Sequence, residues 1–543
     1  MIQSWIVITP PLLVLLIAIT TKSVIYGLAA GIVLAALIAT HGMPHESISL
    51  IIKSFLQETR ISDLLVQSGN YDHAYTFGFL ILLGILIQLI TKTGGMSSLT
   101  TLIHQQLKSR RGAQTTSLLL SLVFFIDDYL NSITIGSIMR PITDAFKIPR
   151  AKLAFLIDSI SAPLCMIVPI SSWVAFIAMV MQSSGISLLP DNNPIFLNDP
   201  FTVYIKTIPY ILYPIFIIFS AWLIVTNRLS FGAMARHNEI AATTGNLFGG
   251  GSPFNEEKLI INTQNHNSYA LRNFIVPMML FLTLIPAIIL YTGWKSNTPW
   301  YTPFKNADTI LFSLFYASLI ACIFAMVFFL VKKHINYTHI PQTIIDGFNL
   351  FRTPILTLLL AWMLSSLLKN NLDTGGYLAK IFIGAAPLYI LPLVFFVTAF
   401  IMTTSTGSSW GTFSILIPVG IPLLGSIASI TGATNITDVP LLLPTLGALL
   451  SGGIAGSHFS PLADSTIMAA SSAQCNLLDH TQTQIGYSTP ALISSIICFG
   501  LFGLCGSSPC STYIILLTGL CCTAVLLSLR SWIHKRKNPR TKQ

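Results

Sequence analysis

Apolar segments long enough to cross a lipid bilayer recur from one end of the chain to the other. A membrane-spanning helix needs about 17–25 predominantly apolar residues. Backbone polar groups inside a bilayer must find their hydrogen bonds within the protein, so segments of this length predict helices. The sequence therefore predicts an all-α polytopic membrane protein. The apolar segments lie near residues 4–20, 24–40, 74–91, 113–140, 151–182, 203–226, 273–291, 309–331, 343–368, 386–420, 440–471, 485–504 and 512–530.

The composition also favours a membrane location. Hydrophobic residues make up 53% of the chain and charged residues 9%, whereas an ordinary soluble domain carries about 25% charged residues. The net charge of +10 lies in predicted loops and a basic tail, so it reflects topology and does not indicate a nucleic-acid partner. The eight cysteines show no metal-ligand spacing, and packing inside the spans explains them. We expect an integral membrane protein in contact with lipid, without a cofactor and without a cleavable signal peptide.

The distribution of basic residues predicts the orientation, because cytoplasmic loops collect Lys and Arg. The tail 531–543, the pair Lys332 and Lys333, and the polar segment 227–272 carry basic residues, whereas the loop 183–202 has none. We therefore predict that the C-terminus is cytoplasmic and that the protein lies in a bacterial inner membrane.

A re-entrant hairpin is predicted between residues 112 and 139. Basic clusters at 108–111 and 140–152 both indicate the cytoplasmic side, and two full spans between them would need about 40 residues. The segment is too short for two spans. We therefore expect it to enter from the cytoplasm and to turn near "DDYLNS" at 127–132, with protein or water around its irregular backbone.

A second hairpin is predicted in the C-terminal half, entering from the opposite face. Residues 381–529 contain no Lys or Arg, and within them "TTSTGSSWGT" at 403–412 is a poor helix sequence in an apolar run. "NSITIGSIMRP" at 131–141 aligns with "SSWGTFSILIP" at 408–418, and each half continues into a span interrupted by proline. Two inverted repeats, each with a hairpin and a discontinuous helix, are typical of secondary transporters with a site at the membrane midplane.

This pattern divides the chain into a transport domain and a scaffold. Each repeat is expected to give one hairpin and one discontinuous helix to the transport domain. The predicted divisions are 1–111 (N-terminal scaffold helices), 112–182 (hairpin and broken helix of repeat 1), 183–226 (scaffold helix), 227–272 (cytoplasmic polar loop), 273–385 (scaffold helices of repeat 2), 386–484 (hairpin and broken helix of repeat 2), 485–530 (C-terminal helices) and 531–543 (basic cytoplasmic tail).

Acidic side chains inside the apolar segments are the first candidates for an ion or proton site. A charge in hydrocarbon is costly, so Asp127, Asp128 and Asp158 are expected to face the interior, as is Asp464. A helix cap or an ion pair is the alternative role. Asn131 would share a helix face with Asp127 and Asp128. Hard cations take oxygen ligands, and two adjacent buried carboxylates resist double ionisation. We therefore predict that Asp127, Asp128 and Asn131 form a site that holds either a metal cation or a proton.

Polar and aromatic residues near the predicted breaks are candidates for lining the site. Hydroxyls and free backbone groups at a break can ligate ions, whereas close helix packing is the alternative use of Ser, Thr and Gly. For the histidine, a satisfied interior role is the alternative to titration. The candidates are Ser171, Ser172, Trp173, Thr404, Ser405, Thr406, Gly407, Ser408, Trp410, Thr412, His458, Ser460, Ser465 and Thr466.

Four motifs within about residues 120–480 resemble the NhaC-type Na⁺/H⁺ antiporter family of the ion transporter superfamily. They are "DDYLNSITIGSIMRPITD", "IDSISAPLCMIVPISSW", "STGSSWGTFSILIP" and "GSHFSPLADSTIMAASSA". The resemblance implies Na⁺/H⁺ exchange by alternating access, with a transport domain that moves like an elevator against a scaffold, often in a homodimer. It points to the acidic and Ser/Thr residues above as the site. The family commonly has "GDHCSP" where this chain has "GSHFSP", so Ser457 replaces a carboxylate.

An alternative function is a Na⁺- or H⁺-coupled carrier or exchanger of a small organic anion or amino acid. The hairpin tips offer hydroxyls and backbone N–H groups to a carboxylate. Against this function, no Lys or Arg lies clearly inside the core segments, and Arg140 and Arg352 lie near predicted ends. Inverted repeats favour a carrier over a channel. The chain has no HExxH, GxSxG or P-loop motif, so neither an enzyme nor an ATP-driven pump is expected.

Overall fold

The protein is built almost entirely from α-helices. In the computed structural model, β1 (Ile186–Ser187) and β2 (Phe196–Leu197) form a short parallel pair, and the other regular elements described are helical. The predicted all-α class is confirmed. The structure describes residues 5–21, 24–59, 72–93, 103, 106–169, 171–187, 195–251, 272–293, 307–373, 377, 388–431, 439, 441–461, 463–506 and 508–537.

The helices of the N-terminal half follow the predicted apolar segments. Three of those segments, 113–140, 151–182 and 203–226, are divided into shorter helices by breaks in the backbone. The helices are α1 (Thr9–Thr21), α2 (Val24–Ala39), α3 (Pro44–Thr59), α4 (Asp72–Lys92), α5 (Arg110–Val123), α6 (Asp128–Ala145), α7 (Arg150–Ile167), α8 (Ser172–Ser183), α9 (Pro200–Thr207), α10 (Leu212–Thr226) and α11 (Gly232–Thr244).

The C-terminal half repeats this alternation of long and divided helices. Its helices are α12 (Arg272–Gly293), α13 (Ala307–Val331), α14 (Ile340–Ser366), α15 (Leu391–Thr406), α16 (Ser409–Thr431), α17 (Leu442–Phe459), α18 (Asp464–Ser472), α19 (Leu477–Cys505) and α20 (Pro509–Lys537).

Six of the described helices are long and apolar enough to cross a membrane, and there are up to eight such spans if two bent helix pairs count as one span each. Helices α7 and α8 meet at 47°, and the 200–210 segment meets α10 at 50°. The count is lower than the dozen or so apolar segments because several segments are divided at breaks or extend outside the described residues.

The first hairpin turns at residues 124–127, between α5 and α6, which pack against each other. Asp127 begins α6 as its N-cap, because its Oδ1 accepts a hydrogen bond from the Leu130 backbone N–H at 2.9 Å. The turn thus falls at the start of the predicted "DDYLNS" segment. Its entry from the cytoplasm and its depth in the membrane stay predictions.

The second hairpin joins α15 to α16 through only two residues, Gly407 and Ser408. Gly407 has a φ of 75°, in the left-handed region that glycine adopts without strain. Its N–H closes α15 by donating to the Thr403 carbonyl at 2.8 Å. Ser408 Oγ accepts from the Gly411 N–H at 3.1 Å and so caps α16. The stretch 403–412 was predicted to be a poor helix-forming sequence. In the structure it is helical on both sides of a two-residue break.

Each hairpin is followed by a helix that is interrupted once. The first interruption, residues 168–171, contains Pro169 and separates α7 from α8. The second, residues 460–463, contains Pro461 and separates α17 from α18. Proline removes a backbone donor and disfavours a continuing helix. The order hairpin, helix, break, helix is the predicted one in both halves, whereas the inverted orientation of the halves stays a prediction.

Helix α17 lies in the centre of the structure and is buried along nearly its whole length. A Cβ atom on Gly452 would lie 2.3 Å from the Phe396 carbonyl oxygen, and one on Gly456 would lie 2.6 Å from that of Phe400. Small residues four apart allow two membrane helices to approach closely. This contact packs α17 directly against α15 of the second hairpin.

The polar segment predicted as a loop at 227–272 is helical in part. Helix α11 occupies its first half and ends at Gly245, whose φ is 77°. Helix α11 packs against α19 and buries His237 to 9% exposure. Burial lowers the pKa of the His237 imidazole, so its neutral form is favoured. Residues 252–271 of this segment lie outside the described part of the chain.

Arg150 connects the residues that follow α11 to the helical bundle. Its backbone N–H donates to the Leu247 carbonyl at 3.1 Å, and its guanidinium lies 4.9 Å from the centre of the Phe248 ring. The same guanidinium pairs with Asp144 at 2.9 Å and donates to Gln474 Oε1 at 3.1 Å. The first turn of α7 is thus tied to the end of α6 and to the connection before α19.

Candidate functional site

The carboxylate of Asp127 lies at the first hairpin turn, with no exposure to solvent. Besides capping α6, it accepts a hydrogen bond on Oδ2 from Ser172 Oγ at 2.9 Å. The Ser172 backbone N–H donates to the Ile126 carbonyl at 2.9 Å. The hairpin turn is therefore fixed to the start of α8, on the far side of the α7–α8 break.

The neighbouring carboxylate, Asp128, is also buried, at 3% exposure. Its Oδ1 accepts a hydrogen bond from Trp173 Nε1 at 3.0 Å. The Trp173 ring packs 5.3 Å from the ring of Trp410 in α16, centre to centre. Asp128 is thus held by α8 through a residue that contacts α16.

Asn131 lies one turn further along α6 and is fully buried. Its amide nitrogen donates to the carbonyls of Ser121 and Phe124, at 2.7 and 3.3 Å. These two acceptors orient the amide, so its Oδ1 points away from them. Among the described residues, Asn131 Oδ1 has no hydrogen-bond partner. A buried oxygen without a donor suits a cation ligand.

Asp464 takes a different position from the other predicted acids. It opens α18 and is exposed, while the Tyr129 hydroxyl donates to its Oδ2 at 3.4 Å. Because Tyr129 follows Asp128 in the chain, this contact places Asp464 near the buried pair, on its accessible side. We interpret Asp464 as a residue at the entrance of the site.

Asp158 lies in a second buried polar cluster with its own partners. Its Oδ2 accepts hydrogen bonds from Gln484 Nε2 at 2.6 Å and from Thr466 Oγ1 at 3.1 Å. His458 Nε2 lies 3.1 Å from the Asp158 backbone carbonyl, and the Tyr213 hydroxyl lies 2.8 Å from His458 Nδ1. The predicted residues Asp158, His458 and Thr466 therefore come together in three dimensions.

Three members of this cluster were not predicted: Tyr213, His480 and Gln484. His480 Nε2 lies 3.4 Å from Asp158 Oδ2, and the histidine is fully buried. His480 and Gln484 are one helical turn apart on α19, a spacing that places both on one face. The prediction placed His480 and Gln484 within 386–484 but between the apolar segments 440–471 and 485–504, so it gave them no role in the site.

The Ser/Thr stretch of the second hairpin is arranged differently from the prediction. The hydroxyls of Thr404, Ser405 and Thr406 donate to carbonyls one turn back in their own helix, at 2.7, 2.8 and 2.9 Å. Thr412 Oγ1 lies 2.6 Å from Thr403 Oγ1. These contacts satisfy the hydroxyls within the hairpin, and none of them reaches a carboxylate.

The remaining predicted residues lie at the breaks themselves. Ser171 Oγ caps α8 by accepting from the Val174 N–H at 3.2 Å. Ser460 is buried in the α17–α18 break, and Ser465 Oγ is buried without a hydrogen-bond partner among the described residues.

Lys152 differs from the prediction that no Lys or Arg lies clearly inside the core segments. Predicted in a cytoplasmic cluster, it is 3% exposed. Its ammonium lies 4.6 Å from the centre of the Tyr487 ring and 3.5 Å from the Tyr487 hydroxyl. The long aliphatic stem allows this burial. A basic side chain therefore does lie within the helical core.

The family comparison fits this arrangement of broken helices and buried acids. The model of the Na⁺/H⁺ antiporter family matches residues 164–504, more than half of the chain. The chain belongs to the Na⁺/H⁺ antiporter family. It is also 28% identical over 536 residues to an uncharacterised protein of Haemophilus influenzae, covering 98% of this chain and 95% of that one.

Two named antiporters of Bacillus subtilis match this family member over shorter stretches. The Na⁺/H⁺ antiporter NhaC is 31% identical over 170 residues, which is 30% of this chain and 34% of that one. The malate-2H⁺/Na⁺-lactate antiporter is 34% identical over 119 residues, or 21% and 23% of the two chains. The predicted NhaC-type resemblance is confirmed. The family and these relatives identify the protein as an integral membrane secondary transporter.

Proposed function

We propose that this antiporter family member exchanges Na⁺ for H⁺ across the membrane by alternating access. The observation that carries the proposal is the pair Asp127 and Asp128, adjacent in the chain and both buried. Among the described residues, neither carboxylate forms a salt bridge to Lys or Arg. An uncompensated buried charge is expensive, so the pair favours a bound Na⁺ or proton.

The ligand set suits Na⁺ as cargo. Carboxylate oxygens of Asp127 and Asp128 and the free Oδ1 of Asn131 are hard oxygen donors on one short segment of α6. The carboxylates could hold a proton in place of the cation, because two adjacent buried carboxylates do not readily ionise together. Competition of Na⁺ and H⁺ for one site is a sufficient physical basis for their exchange.

The breaks in both halves support a cycle of alternating access. We assign segments 112–182 and 386–484 to a mobile transport domain, and the other helices to a scaffold. Trp173 and Trp410 pack together where the two repeats meet. In this proposal the transport domain carries the site across the membrane like an elevator, in a bacterial inner membrane with the C-terminus in the cytoplasm. Small cations and membrane lipid would be its partners, and a homodimer its assembly.

A proton flux driven by Na⁺ tests this function directly. Purified protein is reconstituted into liposomes that contain a trapped pH-sensitive dye, and Na⁺ is added outside. We expect the lumen to lose protons as Na⁺ enters, so that the lumenal pH rises, and choline added at the same ionic strength to have no effect. Folded, reconstituted protein that moves no protons on Na⁺ addition would refute the proposal.

A second candidate is Na⁺- or H⁺-coupled transport of a small organic anion or amino acid. The specific observation in its favour is Lys152, a buried basic side chain that could pair with a carboxylate. The malate-2H⁺/Na⁺-lactate antiporter among the relatives is consistent with such a cargo. Uptake of labelled malate, lactate and basic amino acids by the same liposomes, compared with a Lys152→Met variant, tests it. Saturable uptake that the variant loses would favour this candidate.

A further inference from the structure

The Asp158 cluster is built differently from the Asp127–Asp128 pair. Asp158 Oδ2 receives two hydrogen bonds, from Gln484 and Thr466. Its Oδ1 is buried and has no hydrogen-bond partner among the described residues. Among the described residues Asp158 forms no salt bridge to Lys or Arg, and a fully buried carboxylate without such a partner is suited to carry a proton.

The two histidines beside Asp158 differ in how their nitrogens are used. The contacts of His458 fix its tautomer: Nε2–H donates to the Asp158 carbonyl, so Nδ1 accepts from the Tyr213 hydroxyl. His480 has no such fixed role. Its Nε2 lies 3.4 Å from Asp158 Oδ2, and neither ring nitrogen makes a hydrogen bond within the described residues. His458 therefore orients the cluster, while no hydrogen bond in the described part of the chain fixes the tautomer of His480.

His480 also lies towards one end of the helical bundle. It belongs to the first turns of α19, directly after the half-buried Asp479. Helix α11 packs on this part of α19, and the basic residues of the 227–272 segment predict that this end faces the cytoplasm. His480 is thus placed between that end and Asp158.

These contacts do not describe a metal centre. Within the described residues, no group of three or more His, Cys, Asp or Glu side chains has an arrangement that could hold a metal ion. Titratable groups lie on four helices around the pair: His458 on α17, Tyr213 on α10, Asp479 on α19 and Lys152 on α7. Next to Asp479, α11 contributes His237 and Arg236. Helix α18 contributes the neutral Thr466.

We propose that Asp158 and His480 form a second proton-carrying pair, separate from the Asp127–Asp128 site, and that it adds one proton to each exchange cycle. A hydronium ion gives a proton to His480 Nδ1 and becomes water. The Nε2 proton then passes to Asp158 Oδ2, which leaves a neutral imidazole and a neutral carboxylic acid. Reversal of these steps releases the proton. The proposal rests on the proposed Na⁺/H⁺ function.

The number of protons moved per Na⁺ tests the second pair. Labelled Na⁺ flux and dye-reported proton flux are measured on the same liposomes for wild type, His480→Gln and Asp158→Asn. We expect both variants to move one proton fewer per Na⁺ and to lose the sensitivity of wild-type exchange to membrane potential. His339→Gln, which removes an exposed imidazole from a surface turn, should leave the ratio unchanged.

The ratio separates proton carriage from a structural role. A merely structural loss lowers both fluxes together, so an unchanged ratio in His480→Gln and Asp158→Asn overturns the proposal. If these variants fail to fold, Gln484→Glu places a second carboxyl beside Asp158 Oδ2. The two carboxyls would share a proton, so the midpoint of the proton-flux profile should move to higher pH, and an unmoved midpoint contradicts the pair.

A direct measurement keeps this inference distinct from the proposed function. If wild type moves no protons with Na⁺, the exchange function fails, and pH-difference infrared spectra then decide whether Asp158 titrates. A carboxylic-acid carbonyl band that Asp158→Asn removes and His480→Gln shifts in its pH midpoint supports the pair. The same band in all three proteins, with one midpoint, overturns it.

Discussion

The two hairpin turns occupy corresponding positions in the two halves of this antiporter, yet they carry different chemistry. The first turn bears Asp127 and Asp128, whose carboxylates accept hydrogen bonds from α8 across a helix break. The second bears hydroxyls that bond to carbonyls of their own helix. The two turns therefore share a similar backbone architecture, but only the first carries acidic side chains. We infer that the first hairpin binds the ion and the second contributes shape.

The largest expected difference between the hairpins comes from removing one carboxylate. Asp128→Asn takes away a buried charge whose partner is the cation, a loss of about 3 kcal/mol or more. Na⁺ affinity should fall about 100-fold, since 1.4 kcal/mol is a factor of ten. The KM for Na⁺ in liposomes measures this loss. Asp373→Asn is the matched control, because Asp373 is exposed and asparagine tolerates its left-handed φ of 50°.

A smaller rise in the KM for Na⁺ is expected when the neutral oxygen of the first hairpin, Asn131 Oδ1, is removed. Asn131→Leu removes the unpartnered Oδ1, and a neutral ligand contributes about 1–1.5 kcal/mol, so the KM for Na⁺ should rise about tenfold. Asn370→Leu on an exposed surface controls for the change of residue type. An unchanged KM in Asn131→Leu would remove Asn131 from the ion site.

Changing the shape of the second hairpin should lower the stability of the protein and leave its affinity for Na⁺ unchanged. Gly407→Ala places a side chain at a φ of 75°, which costs about 1–2 kcal/mol. We expect the free energy of unfolding, measured by titration with a denaturing detergent, to fall by that amount while the KM for Na⁺ stays constant. Gly500→Ala, in an open helical position, should be neutral or stabilising. A raised KM in a folded Gly407→Ala protein would argue that the second hairpin binds the ion.

The smallest effect is expected at the hydroxyls of the second hairpin. Thr404→Val removes a hydrogen bond from Oγ1 to the Phe400 carbonyl, and polar contacts of this kind in membranes average about 0.6 kcal/mol. Transport rate and KM should stay within about twofold of wild type. A loss comparable to that of Asp128→Asn would make the two hairpins equivalent and contradict the comparison.

Much of the architecture followed from simple features of the sequence. Basic clusters around 112–139 predicted a turn near "DDYLNS", and the capping carboxylate of Asp127 places it there. Proline and polar residues marked two spans as interrupted, and the breaks contain Pro169 and Pro461. Pro163 of the first span lies inside α7 without breaking it. Breaks and caps depend on local chemistry, so local sequence predicts them well.

The parts that the sequence did not predict depend on tertiary contacts. A polar residue at the end of a span has the same local sequence whether it faces water or the core. His480 was therefore given no role in the site and Lys152 was placed in a cytoplasmic cluster, although both side chains are buried. Hydroxyls in a helix can donate to their own backbone, as those of Thr404, Ser405 and Thr406 do, so the role of the Ser/Thr stretch in the site stays a prediction.

Proton release on Na⁺ binding is the most direct test of the Asp127–Asp128 site. Na⁺ is added to purified protein in weakly buffered detergent solution, and the pH change is recorded for wild type and for the double variant Asp127→Asn/Asp128→Asn. We predict that wild type binds Na⁺ and releases protons, while the folded double variant does neither. Saturable Na⁺ binding by wild type without any proton release would contradict a site that holds either ion in turn.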